Sequence, residues 1–467
     1  MTPILVVEGL SVRGDGDPLL RNISLTLAAG EAVTLVGESG AGKSLLAQAI
    51  MGNLPASLRA TGQIRIAGRA SSAADRRARR PLWGRQLGLL PQEPWLALDP
   101  TMRVLSQVEE TFRYVRKVPG GGPADHAAHE ALVGVGLQGK ARHYPHQISG
   151  GMAQRVAFAA VLAGQPTILI ADEPTKGLDR QARDGVVALL RAALQDGCAL
   201  LTVTHDLEVA EALGGRLVVL QQGEIVESGE TSTLVKAPQH NYTRALLAAQ
   251  PRHWASVPQP PHGALLIDAR GLSKAFGPLK LFADLDLRLH AGERLALTGP
   301  SGCGKTTLGN ILCGVMAPDA GNVTSHAGRP FALQKLYQDP VASFPARQRL
   351  RQTIDDLCRR HRLDKAALAD ILAELGVNPS LLDRLPGEVS GGELQRIAIA
   401  RILLMRPQMV FADEPTSRLD AITQKQAMDV LLRALGGIGA ALVLVTHDDQ
   451  MADRIAQCRV SLSGEQQ

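Results

Sequence analysis

The sequence predicts an α/β fold made twice in one chain, each copy a mainly parallel sheet covered by helices. Three observations predict it. Short, continuously apolar segments alternate with helical stretches, as strands buried on both faces of a parallel sheet require. Glycine-rich turns join apolar strands to helices. The same ordered set of segments then occurs a second time.

The repeat is explicit. Residues 37–44 (GESGAGKS) recur as 299–306 (GPSGCGKT), and 25–31 recur as 287–293, both 262 positions on. Ser149-Gly150-Gly151 recurs as Ser390-Gly391-Gly392, and Asp172-Glu173-Pro174-Thr175 as Asp413-Glu414-Pro415-Thr416, both 241 positions on. The order is kept, and about twenty residues are missing from the middle of the second copy.

In chain order, the first domain is expected over 1–250. It opens with alternating strands at 4–7 and 23–27, then a buried strand at 32–36 leading into a glycine loop and helix. Apolar strands follow at 167–171 and 199–204. Residues 251–263 carry four prolines and no apolar periodicity, which predicts an extended linker. The second domain, 264–467, repeats the series at 265–268, 285–289, 295–298, 409–412 and 441–446.

Composition bounds the function. The 467 residues are 45% hydrophobic and 20% charged, enough for sizeable cores and too ordered a composition for wholesale disorder. No apolar run approaches 18 residues, so no membrane span is expected. The N-terminus lacks the pattern of a secretory signal. Five scattered cysteines without a CxxC pair argue against a disulfide framework or a zinc site and for a reducing compartment. A net charge of +5 is mild and does not imply nucleic acid. The expectation is a soluble intracellular protein.

Both glycine loops match GxxxxGK[ST], the P-loop, whose backbone N–H groups and helix N-terminus form a nest for anions. The nucleotide-binding residues expected are Gly37, Glu38, Ser39, Gly40, Ala41, Gly42, Lys43 and Ser44, and Gly299, Pro300, Ser301, Gly302, Cys303, Gly304, Lys305, Thr306 and Thr307. The lysines would reach the β- and γ-phosphates, and the Ser44 and Thr306 hydroxyls would ligate Mg²⁺. Asp172 and Asp413 end apolar strands at the sheet edge where parallel α/β folds place ligands, so both are expected metal carboxylates. Glu173 and Glu414, one residue on, suit polarisation of an attacking water.

The SGG turns lie 24 residues before each Glu and open amphipathic helices. With Gln92 and Gln338 after apolar strands, and His205 and His447 after the last strands, the set resembles the ABC ATPase family across nearly the whole chain. The resemblance implies two tandem P-loop ABC ATPase domains, each with an antiparallel β portion and a helical subdomain. It implies ATP and Mg²⁺ as ligands, with Gln92 and Gln338 near the metal and His205 and His447 in catalysis. It also implies composite sites, Ser390, Gly391 and Gly392 serving the first P-loop and Ser149, Gly150 and Gly151 the second. Phe276, ahead of the second P-loop, matches the family's adenine-stacking aromatic; the repeat offset places Gly14 there in the first copy.

Residues 89–104 and the tails at 223–229 and 238–247 resemble importers of the peptide and nickel class, here with the usual two ATPase chains fused. That resemblance implies two integral membrane permease subunits and, through them, an extracytoplasmic solute-binding protein. It implies a peripheral position on the cytoplasmic face of the inner membrane. Peptides, nickel or other metal chelates, and related small polar solutes remain open as cargo. A soluble tandem ABC factor acting on ribosomes is the alternative; the short, proline-rich linker does not fit that type's long charged helical one.

Overall fold

The computed structural model describes residues 2–120, 122–178, 180–258, 263–300, 302–329, 331–416 and 419–462. The chain divides into two compact units, 1–247 and 248–467.

In the first unit a six-stranded sheet carries the strands in the order Glu224–Glu230, Arg216–Gln221, Ala32–Gly37, Ala199–Val203, Ile168–Asp172, Leu87–Leu90. All neighbours are parallel except the first pair. The central strands are buried along their whole length because both faces are covered. Alternation sorts their side chains: Ile168 and Ile170 enter one apolar cluster, Leu169 and Ala171 the other. On the first face lies an antiparallel sheet led by Pro3–Arg13 and Pro18–Ala28, longer than the short strands expected from the sequence. On the second face packs Gly150–Ala163, with the helices Val104–Glu110 and Gly122–Gly134.

The second unit repeats this plan with a five-stranded, wholly parallel sheet: Leu333–Leu336, Met409–Asp413, Ala441–Val445, Arg294–Thr298, Cys458–Ser461. An antiparallel sheet contains Leu265–Phe276 and Leu279–His290. Helices Leu350–His361 and Ala366–Glu374 follow Gln338.

The proline-rich stretch expected as an extended linker is partly folded onto the second unit. Trp254 is buried in that unit's core, and its indole N–H donates to the Ala249 carbonyl at 2.7 Å. The Val257 N–H donates to the Arg454 carbonyl at 3.1 Å, and Arg294 donates to the carbonyls of Val257 and Pro258. Among the described residues no helix is long and apolar enough to cross a membrane.

Candidate functional site

Each P-loop leaves the C-terminal end of its unit's buried strand and enters a helix, Lys43–Met51 or Lys305–Leu312. Backbone approach demands its glycines. A Cβ on Gly37 would stand 2.2 Å from the Leu220 carbonyl oxygen, and one on Gly299 would stand 2.4 Å from that of Leu462. Gly42 and Gly304 cap the helices in the left-handed region, at φ 95° and 99°. Ala41 and Cys303 turn inward and are buried, whereas Ser39, Gly40, Pro300 and Gly302 line the exposed rim. Thr307 is half-buried in the first helical turn, and Ser301 lies outside the described residues.

The two lysines fold back across their loops. Lys43 Nζ donates to the carbonyls of Gly37 and Glu38, both at 2.8 Å, and Lys305 Nζ to those of Gly299 and Pro300 at 2.8 and 2.7 Å. Ser44 Oγ donates to Asp172 Oδ1 at 3.0 Å, and Thr306 Oγ1 to Asp413 Oδ2 at 2.6 Å. These pairs join residues 128 and 107 positions apart in the chain. Burial pushes both aspartates' carboxyls above their ordinary range, and the hydroxyl bonds oppose it. A hydroxyl and one carboxylate are hard oxygen donors. Among the described residues no group of three or more His, Cys, Asp and Glu could hold a metal. That set fits Mg²⁺, which takes one or two protein oxygens and keeps its remaining ligands as water and phosphate.

Glu173 and Glu414 both have left-handed backbones, at φ 48° and 45°, unusual for a branchless acidic side chain at a strand end. Each holds that turn by donating its N–H to the neighbouring strand, Glu173 to Val203 and Glu414 to Val445. Each carboxylate meets its histidine: Glu173 Oε2 lies 2.8 Å from His205 Nδ1, and Glu414 Oε1 lies 2.7 Å from His447 Nε2. Burial alone would raise the Glu173 carboxyl; the charge and hydrogen bond of His205 outweigh it and hold the carboxyl below its usual range. Burial likewise disfavours the His205 cation, and Glu173 reverses that to a raised value.

Gln338 Nε2 donates to Glu414 Oε2 at 2.9 Å, while Gln92 is exposed. Ser149 and Ser390 cap the SGG helices, each accepting an N–H at 3.3 Å, with Gly150, Gly151, Gly391 and Gly392 in the first turn. Ser390 also donates to Glu393 Oε2 at 2.6 Å; the first copy has Met152 there. Phe276 ends its strand 51% exposed, with Lys274 Nζ 5.8 Å from the ring centroid.

Several residues escaped sequence reasoning. Gln154 is buried and donates to the Pro174 carbonyl, tying the SGG helix to the Asp-Glu-Pro-Thr turn. Lys335 is buried 4.0 Å from Asp413 Oδ2. Burial pushes its ammonium below the ordinary range, and Asp413 opposes that. Beside it the Cys313 thiol is pushed up to about 11, chiefly by burial. The available signal was a lysine between Gln334 and Leu336, three residues before Gln338.

A family model described as "ABC transporter" matches residues 20–176 and 282–417. The peptidoglycan transport ATP-binding protein YejF of Agrobacterium fabrum is 33% identical, aligned over 97% of this chain and 90% of its own length. The glutathione import ATP-binding protein GsiA of Salmonella typhi is 33% identical over 97% of this chain and 84% of its own. A solved structure named RNase-L Inhibitor matches with a TM-score of 0.67 at 21% identity, covering 97% of this chain and 87% of that one. The last likeness is one of fold.

Proposed function

From the premise that this chain belongs to the ABC transporter family and is an ATPase, we propose that it energises a membrane importer of peptides or related small polar solutes, hydrolysing ATP in both halves. The observation that carries the chemistry is the doubled constellation of lysine, hydroxyl, aspartate, glutamate and histidine, making the same pairwise contacts in both halves.

In each half the P-loop amides and Lys43 or Lys305 bind the phosphates, giving up their bonds to loop carbonyls. Ser44 with Asp172, and Thr306 with Asp413, would hold Mg²⁺, which would supply positive charge to offset that developing on the phosphates. Glu173 and Glu414 accept the proton of the attacking water. A carboxylate held ionised by its neighbour, as Glu173 is by His205, is ready for that task at neutral pH. His205 and His447 fix the carboxylates' orientation through their ring nitrogens. Phe276 would stack on the adenine of the second half, its exposed face being open for it.

The cargo class rests on the relatives named for peptidoglycan transport and glutathione import, and on the peptide-class stretch at 89–104. Two permease subunits and a solute-binding protein are the partners in this reading, and the chain works peripherally at the cytoplasmic face. Affinity purification from native membranes tests it. Integral membrane permeases should co-purify; ribosomal subunits with no permease would overturn the importer reading in favour of a soluble factor.

A further inference from the structure

The two halves share their catalytic motifs but not the packing behind the metal carboxylate. In the second half Lys335 Nζ donates to Asn310 Oδ1 at 2.7 Å and lies 5.0 Å from the Tyr337 ring centroid and 5.7 Å from that of Phe411. An amide oxygen, two aromatic faces and a carboxylate are surroundings that suit a cation. The same Asp413 oxygen that accepts the Thr306 hydroxyl is the one 4.0 Å from this ammonium.

The first half has no counterpart. Sheet register aligns Lys335, opposite Phe411, with Leu89, opposite Ile170. The repeat offset aligns Asn310 with Gln48 and Gly309 with Ala47. The exchanges are coordinated: Gly309 leaves the room that Phe411 fills, Phe411 floors the lysine, and Asn310 binds its head. Four positions differ together around one buried charge.

We propose that Lys335 is a built-in competitor for the divalent cation at the second P-loop, so that the two halves take up metal and nucleotide with unequal affinity. The inference rests on the reading that each half binds Mg²⁺ with ATP. A cation arriving at Asp413 meets a fixed positive charge 4.0 Å from the same carboxylate oxygen. At Asp172 the equivalent position is Leu89, and the further positive charge there, Lys176, acts more weakly than the P-loop lysine Lys43. Even at the effective dielectric of a partly open site, that repulsion weakens metal uptake by roughly tenfold or more.

The test uses the full chain and titration calorimetry with a non-hydrolysable ATP analogue, in Mg²⁺ and in EDTA. Lys43→Ala leaves the second site to be read, and Lys305→Ala leaves the first. The affinity gain due to Mg²⁺ should be at least about tenfold smaller at the second site. Lys335→Met should raise that gain to the first site's value without raising the EDTA affinity, because the charge that repels the cation also attracts the free nucleotide's phosphates. Lys335→Arg should keep the small gain, and Lys335→Gln, which can still reach Asn310, covers the case in which methionine does not pack. Equal gains in the two sites, or a second-site gain unmoved by both neutral variants, would overturn the proposal while leaving the ATPase reading intact. Absence of analogue binding at either site of the unaltered chain would instead overturn the nucleotide reading beneath it.

Discussion

Gly309→Ala sets two effects of known sign against each other. Gly309 sits inside the helix Lys305–Leu312, where alanine should stabilise by about 1 kcal/mol through helix propensity. But its Cβ would stand 2.2 Å from both Cε1 and Cζ of Phe411 and 2.6 Å from Cδ1. Carbon atoms in contact settle about 3.5–4.0 Å apart, so the ring would have to retreat by more than about 1 Å. Phe411 is fully buried, with Lys335 over its ring, so its retreat has to displace packed neighbours. Overpacking of this kind costs about 1–3 kcal/mol, and a contact this short belongs at the upper end. The clash therefore wins, and Gly309→Ala should destabilise the second unit by about 1–2 kcal/mol net. Adding Phe411→Ile reproduces the first half's Ala47 and Ile170 and should recover most of the loss, giving a coupling of at least about 1 kcal/mol in a double-mutant cycle. Replacing Trp83 and Trp95 with Phe leaves Trp254, buried in the second unit, as the fluorescent reporter of denaturant unfolding. A Gly309→Ala chain more stable than its parent would show that the ring is free to move and refute the packing argument.

The remaining predictions concern turnover and base recognition. Glu173→Gln with Glu414→Gln should still bind ATP but hydrolyse it at least about 100-fold more slowly; a near-normal rate would remove both carboxylates from their assigned role. An azido-adenine nucleotide should label the second half at lower concentration than the first, because Phe276 has Gly14 as its counterpart and base stacking is worth about 1–3 kcal/mol. Phe276→Ala should erase that advantage, and equal labelling of the two halves, unchanged by the substitution, would refute the adenine contact.

The parts of the fold and site legible in the sequence are those specified locally. A P-loop is one contiguous turn, and a strand buried on both faces is one apolar run. Even the meeting of Ser44 with Asp172 across 128 positions was legible, because the P-loop and Asp172 both lie at the C-terminal ends of parallel strands in one sheet, with a single strand, Ala199–Val203, between them. The prolines of 251–263 gave the opposite lesson. They exclude regular structure, yet whether such a chain swings free depends on what its carbonyls meet, here Arg294 and Arg454 from far along the sequence.

Lys335 was illegible for a related reason. A lysine in a short strand reads as an edge residue; its weight comes from Asn310, Phe411 and Asp413, which only the folded sheet brings around it. Gly309 alone reads as a weak point in a helix, and Phe411 alone as an ordinary core residue. Duplication makes the group interpretable, because the first half holds the same backbone positions with Leu89, Ala47 and Ile170 and no buried charge. The phosphate and metal motifs are matched, so a difference in metal uptake between the halves has to act from behind them. A charge beside the metal carboxylate can do that: it leaves the residues of the phosphate cradle, the glutamate and the histidine in place and changes how strongly the aspartate is available to a cation. Two halves with one set of reacting groups can then differ in when they become loaded rather than in what they catalyse.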